Sequence, residues 1–103
     1  MAILSRTEAE PLVASLPGWI LDEGAIRKQF VCRGFPEAVG FVAALVPEAE
    51  RADHHPDIVI NYRRVTLTYT THSEGGLTQK DIDGASMAER TFDAGGFSAP
   101  RQK

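Results

Sequence analysis

Residues 57 to 72 read Asp-Ile-Val-Ile-Asn-Tyr-Arg-Arg-Val-Thr-Leu-Thr-Tyr-Thr-Thr-His, and their alternation decides the fold class. Side chains of an extended chain point to opposite faces in turn, so Ile58, Ile60 and Tyr62 share one face of a strand, and Val65, Leu67 and Tyr69 share a face of the next. A turn near Arg63-Arg64 makes the two a hairpin. The second strand then carries Thr66, Thr68, Thr70 and His72 as a polar row on its other face. Upstream, Val39, Val42, Ala43 and Val46 recur at helical spacing within Glu37 to Glu50, and Pro36 suits a first helical turn. Pro47 predicts a kink or an early end to that helix. Further upstream, Trp19 to Leu21 and Ile26 to Cys32 flank Asp22-Glu23-Gly24 as another hairpin.

The two ends of the chain complete the pattern. Ser5 with Glu8 and Thr7 with Glu10 are alternative capping boxes for an N-terminal helix carrying Leu12, Val13 and Leu16, whose start Pro11 obscures and which Pro17-Gly18 ends. Thr78 caps a last helix, with Asp81 three residues on and Leu77 and Ile82 as a hydrophobic staple, running to about Phe92. The order αββαββα predicts a single α+β domain over residues 1–94, a four-stranded antiparallel sheet with three helices packed on one face. Residues 95–103, with two glycines and Pro100, read as a flexible tail.

Composition excludes several functions. A chain of 103 residues supports one core, and one cysteine, Cys32, cannot staple a secreted scaffold, so a reducing cytoplasm is the default. No apolar run approaches the ~20 residues that cross a bilayer, and the opening residues lack a secretory signal. With 14 acidic against 11 basic side chains, net charge −3, direct nucleic-acid binding is disfavoured.

The chemistry gathers at histidines. His54, His55 and His72 are the only three, all between positions 54 and 72. Pro56 biases His55 toward extended dihedrals, so His54 and His55 diverge. If the helix persists to Asp53, Glu50 lies one turn before His54 and can fix its tautomer. The hairpin returns His72 toward the pair. Imidazoles titrate near ~6.5, so paired rings suit proton transfer at neutral pH. The bland reading is that His-His-Pro merely ends a helix. A metal site on the three histidines with Asp53 or Glu50 lacks an H-x-x-x-H or C-x-x-C clamp, and Cys32 lies mid-strand, away from any base.

With Glu50 to Pro56 reading E-x-x-x-H-H-P, then Tyr62, VTLTYTTH at 65–72 and GGLTQKD at 75–81, the sequence resembles the pterin-4a-carbinolamine dehydratase family. Leu16 to Trp19 and Phe30 to Phe41 follow the same pattern, so the likeness spans all but the last ten residues. It implies a carbon–oxygen hydro-lyase that removes water from 4a-hydroxytetrahydropterin to give quinonoid dihydropterin in tetrahydrobiopterin recycling, without metal or organic cofactor. It implies that His54 and His72 are acid/base catalysts and that His55 holds the pterin, with Glu50 orienting His54. Asp53, Thr70, Thr71 and Ser73 would line the pocket, with Pro56 in the motif and Asp81 capping its helix at the pocket edge. It further implies a homotetramer or homodimer, with sheets joined edge to edge and C-terminal helices associating. Some members act instead as dimerisation cofactors of a transcription factor, a partner that would add the nucleus to the cytoplasm in a eukaryotic cell. Ile58 stands where members often have tryptophan, and Gly84 and Ser86 make the last helix less apolar.

Overall fold

A computed structural model describes residues 3–99. Helix α1 (Arg6–Ala14) is followed by strands β1 (Ile20–Asp22) and β2 (Ala25–Val31), helix α2 (Phe35–Ala52), strands β3 (Asp57–Asn61) and β4 (Arg64–Tyr69), and helix α3 (Gln79–Gly95). The four strands form one antiparallel sheet in the order β1-β2-β4-β3. This is the α+β arrangement read from the sequence.

Local chemistry sets the element ends. Of the two candidate capping boxes, Ser5 and Glu8 form the real one, each side chain bonding the other residue's backbone N–H. Pro11 sits inside α1 without breaking it. Glu23 and Gly24 both take left-handed dihedrals, φ 39° and 81°, which is the two-residue hairpin turn that matches the twist of the paired Asp22 and Ala25. The second hairpin turns one residue earlier than the expected Arg63-Arg64. Asn61 pairs with Arg64, so Tyr62 and Arg63 form the loop, and Tyr62 leaves the strand at φ 56°.

The core lies between one sheet face and the helices. Ile26, Phe30, Val65, Leu67 and Tyr69 face Ala9 and Val13 of α1, Ala38, Phe41 and Leu45 of α2, and Ile82, Ala85 and Ala88 of α3, all buried. Phe41, Phe30 and Phe92 pack at about 5 Å between centroids, in tilted and edge-on geometry. The apolar spacing that marks α2 in the sequence is not its buried stripe. Ala38, Phe41, Leu45 and Ala49 face inward, while Val39 and Val46 are exposed. The helix is apolar on most sides, and the aromatic ring takes the interior.

Pro47 does not end α2, which continues to Ala52. Pro47 and Ala43, whose carbonyl lacks the proline's N–H, both lie on the solvent side, where water can replace the bond. Beyond the expected end at Phe92, α3 runs to Gly95 and Gly96 turns it in a left-handed cap. Phe97 then stacks near Phe41 at 5.9 Å, its carbonyl accepts from the Arg33 N–H, and Ser98 bridges Cys32. The first part of the stretch read as a tail is therefore tied to β2 and α2. Residues 100–103 lie outside the described residues. No helix among the described residues is long and apolar enough to cross a membrane.

Candidate functional site

The three histidines reach their places by different local devices. Helix α2 ends in a Schellman motif: Asp53 is left-handed at φ 51°, its N–H bonds the Glu50 carbonyl, and the His54 N–H bonds the Ala49 carbonyl. That turn swings His54 off the helix axis. The expected pairing of Glu50 with His54 is therefore not formed. Glu50 Oε2 instead lies 2.6 Å from His55 Nε2, an exposed pair. Asp53, expected to line the pocket, is an exposed helix terminator whose contribution is its backbone.

His54 meets a different carboxylate. Its Nε2 lies 2.6 Å from Oδ1 of Asp81, which is fully buried, while the imidazole itself is 11% exposed. Asp81 Oδ2 accepts from the Thr78 N–H and from the Thr71 hydroxyl, both at 2.9 Å. Thr71 and Thr78 hydroxyls lie 2.8 Å apart. A carboxylate offers only acceptors, so the hydrogen on this side of the ring sits on Nε2, and in the neutral ring Nδ1 is the nitrogen with the lone pair. Asp81 thus caps α3, as its spacing from Thr78 indicated, and also holds a histidine, which the spacing did not reveal.

Tyr69 backs the imidazole, with ring centroids 5.9 Å apart and planes 23° apart. Burial, and then the nearby Asp81 charge, push its phenol up to about 12. Its hydroxyl has no hydrogen-bond partner among the described residues. The alternation put Tyr69 on one strand face with Val65 and Leu67, the face that proves buried, but could not show what it touches.

His72 does not extend the strand, which stops at Tyr69. It opens a 3₁₀ turn, His72–Glu74, closed by reciprocal backbone bonds between Thr71 and Gly76, with Gly75 left-handed at φ 77°. His72 and Ser73 are exposed on this loop, directly after the Thr71 that bonds Asp81. Thr70 points its hydroxyl at the Gly24 carbonyl, 2.6 Å away, which spends it on the first hairpin. The structure therefore joins His54, Thr71 and Asp81 in one network and sets His55 with Glu50 beside Pro56.

A cleft of about 300 Å³ opens between the end of α2 and the start of α3, with His54, Arg51, Lys80, Gly84 and Met87 on its walls. Of the expected site residues, only His54 reaches it; Lys80 and Met87 had given no signal beyond helical spacing. Cys32 is buried, and desolvation with the Glu37 charge raises its thiol, which leaves it a core residue.

Residues 2–91 match the family described as Pterin 4 alpha carbinolamine dehydratase. The chain belongs to that family. A Picosynechococcus sp. protein provisionally named pterin-4-alpha-carbinolamine dehydratase is 47% identical over 90 residues, covering 87% of this chain and 94% of the relative. A Roseiflexus sp. protein of the same name is 48% identical over 86 residues, 84% and 92% of the two chains. The crystal structure of a transcriptional coactivator/pterin dehydratase from Brucella melitensis superposes with a TM-score of 0.82 at 35% identity, over 87% of this chain and 98% of that one. The dehydratase family thus matches in sequence and in fold.

Proposed function

We propose that the chain is a hydro-lyase that converts 4a-hydroxytetrahydropterin to quinonoid dihydropterin and water, with His54 and His72 moving the protons and His55 holding the pterin. The observation that carries this reading is the 2.6 Å contact of His54 Nε2 with the buried Asp81 carboxylate. It leaves Nδ1 free to take the proton from N5 of the pterin, and Asp81 then faces the imidazolium that forms. The N5–H electrons form the N5–C4a double bond as the C4a–O bond breaks. Protonated His72 gives its proton to the departing hydroxyl, which leaves as water. Both histidines regain their starting states through solvent, so the step balances without a co-reactant.

In this reading Thr71 acts through Asp81, Ser73 borders the pterin beside His72, and Glu50 orients His55. Self-association of a cytoplasmic protein belongs to the same proposal. The β3 edge is open, with Ile58, Val59 and Ile60 exposed, and an open apolar edge favours strand addition. Light scattering of the purified chain tests that part.

The main test is the appearance of quinonoid dihydropterin from freshly made carbinolamine. Acceleration over buffer is the expected result, and none overturns the reading. The name of the Brucella melitensis neighbour favours one alternative, a protein-binding module on the same scaffold. A stoichiometric protein partner retained by a triple histidine variant would point there instead.

A further inference from the structure

The ring of Tyr69 is enclosed on three sides. Trp19 lies 6.0 Å away between centroids and His54 5.9 Å away on the stacked side. At the ring edge is Gly84 of α3, where a Cβ atom would stand 2.6 Å from Tyr69 Cε1 and 2.9 Å from Cζ, closer than packed atoms approach. Gly84 has no unusual turn to make, since it lies within α3, where glycine costs about 1 kcal/mol relative to alanine. Space for the tyrosine ring is the visible reason for a glycine there. The same Gly84 forms part of the cleft wall that His54 reaches.

We propose that Tyr69 and Gly84 are a positioning pair that keeps the His54 imidazole seated on Asp81, the ring backing the imidazole and the bare glycine leaving the ring its place. This rests on the acid/base reading of His54 but makes a separate claim, because it concerns the seating of the ring. His54 is bonded at Nε2 alone among the described contacts, and one hydrogen bond leaves a ring free to swing about it. A flat neighbour 23° from parallel limits that swing. A side chain added at Gly84 has to push the tyrosine ring, and that ring is the one stacked against His54. The phenol ring does this work, and the unpartnered hydroxyl takes no part in it.

The test uses the full chain labelled with ¹⁵N-histidine and follows the Nε2–H proton of His54, whose bond to a buried carboxylate slows its exchange, together with kcat and KM. Wild type and Tyr69→Phe are expected to keep the resonance. Gly84→Ala is expected to lose it and to lower kcat about 10-fold or more with little change in KM, since misplacement of a catalytic group acts on the chemical step. In a Tyr69→Leu background the obstructing ring is gone, so adding Gly84→Ala is expected to change kcat by less than about twofold, the non-additivity of two residues that act through one contact. Tyr69→Leu alone, which opens space and does not crowd the core, is expected to speed exchange of the same proton; it serves if Gly84→Ala fails to fold. Additive losses across the cycle, or an unaltered resonance in Gly84→Ala and Tyr69→Leu, would overturn the proposal. A wild-type protein without dehydratase activity defeats the proposed reaction but leaves the resonance test of the pair standing.

Discussion

Asp81 binds His54 with one oxygen and the first turn of its own helix with the other. Oδ1 is 2.6 Å from the imidazole, and Oδ2 closes the capping box at Thr78. In the proposed reaction one carboxylate thus links proton transfer to helix stability. Asp81→Asn offers the ring an amide that can donate, which favours the wrong tautomer. We expect a loss of ~10²–10⁴-fold in kcat, and about 1–2 kcal/mol in unfolding free energy from the weakened cap. Initial rates and urea unfolding of the same preparation check both, and an unchanged rate removes Asp81 from the site.

The histidines should separate by kinetic parameter. His54→Ala and His72→Ala remove the groups that move protons in the proposed reaction and are expected to lower kcat by ~10²–10⁴-fold. His55→Ala and Glu50→Gln disturb an exposed pair that in the proposed reaction holds the pterin and transfers no proton, and are expected to raise KM more than they lower kcat. Full carbinolamine progress curves distinguish the two, and an unaltered kcat in His72→Ala would exclude it from the chemistry.

Tyr69 makes stability fall at alkaline pH. Its phenol is raised from 10 to about 12 in the folded chain, so between those values the unfolded chain loses a proton that the native chain keeps. Stability is unaffected below pH 10 and decreases as pH rises toward 12, at up to about 1.4 kcal/mol per pH unit. Tyr69→Phe lacks this dependence and also removes a buried hydroxyl with no described partner, so it is expected to gain about 1 kcal/mol at pH 7. Urea unfolding of both proteins at pH 7 and 11 measures the difference, and parallel pH curves would count against it.

Glu89 tests what holds α3 to the first hairpin. It accepts from Trp19 Nε1 at 2.9 Å and Lys28 Nζ at 2.6 Å, with both charged side chains less than a fifth exposed. Glu89→Ala leaves an indole N–H and an ammonium unpaired on a largely buried surface. The expected cost is about 2–3 kcal/mol. Thermal melts check it.

Phe97 gives the chain end a measurable role. Phe97→Ala removes a ring packed on Phe41 and is expected to cost about 1–2 kcal/mol, less than a fully buried phenylalanine because it is only partly covered. A free tail would show no change in melting temperature.

The fold was largely legible because strand alternation and capping chemistry are local. Val65, Leu67 and Tyr69 had to share a face, and Thr78 with Asp81 had to begin a helix. The reading departs from the structure where a neighbour distant in sequence decides, or where one residue takes an unexpected backbone conformation. The buried stripe of α2 was ambiguous because its apolar residues surround the axis, and only Phe30 and Phe92 show that Phe41 turns inward. Glu50 was matched to His54 by helical spacing, but Asp53 turns the chain left-handed first. The partner of His54 lies 27 residues away on another helix, out of reach of any spacing argument. Gly95 and Gly96 before it and Pro100 after it make Phe97 read as tail, and its docking on Phe41 leaves no periodic trace.

Strand β3 hydrogen-bonds on one side only, and His54 and His55 are the residues that lead into it. A sheet margin is where amide protons exchange first, by opening that leaves the rest of the fold intact. Anchoring His54 to a buried carboxylate in the first turn of α3 fastens that margin to the interior. Amides of β3 are therefore expected to exchange through local fraying while the imidazole stays seated on Asp81.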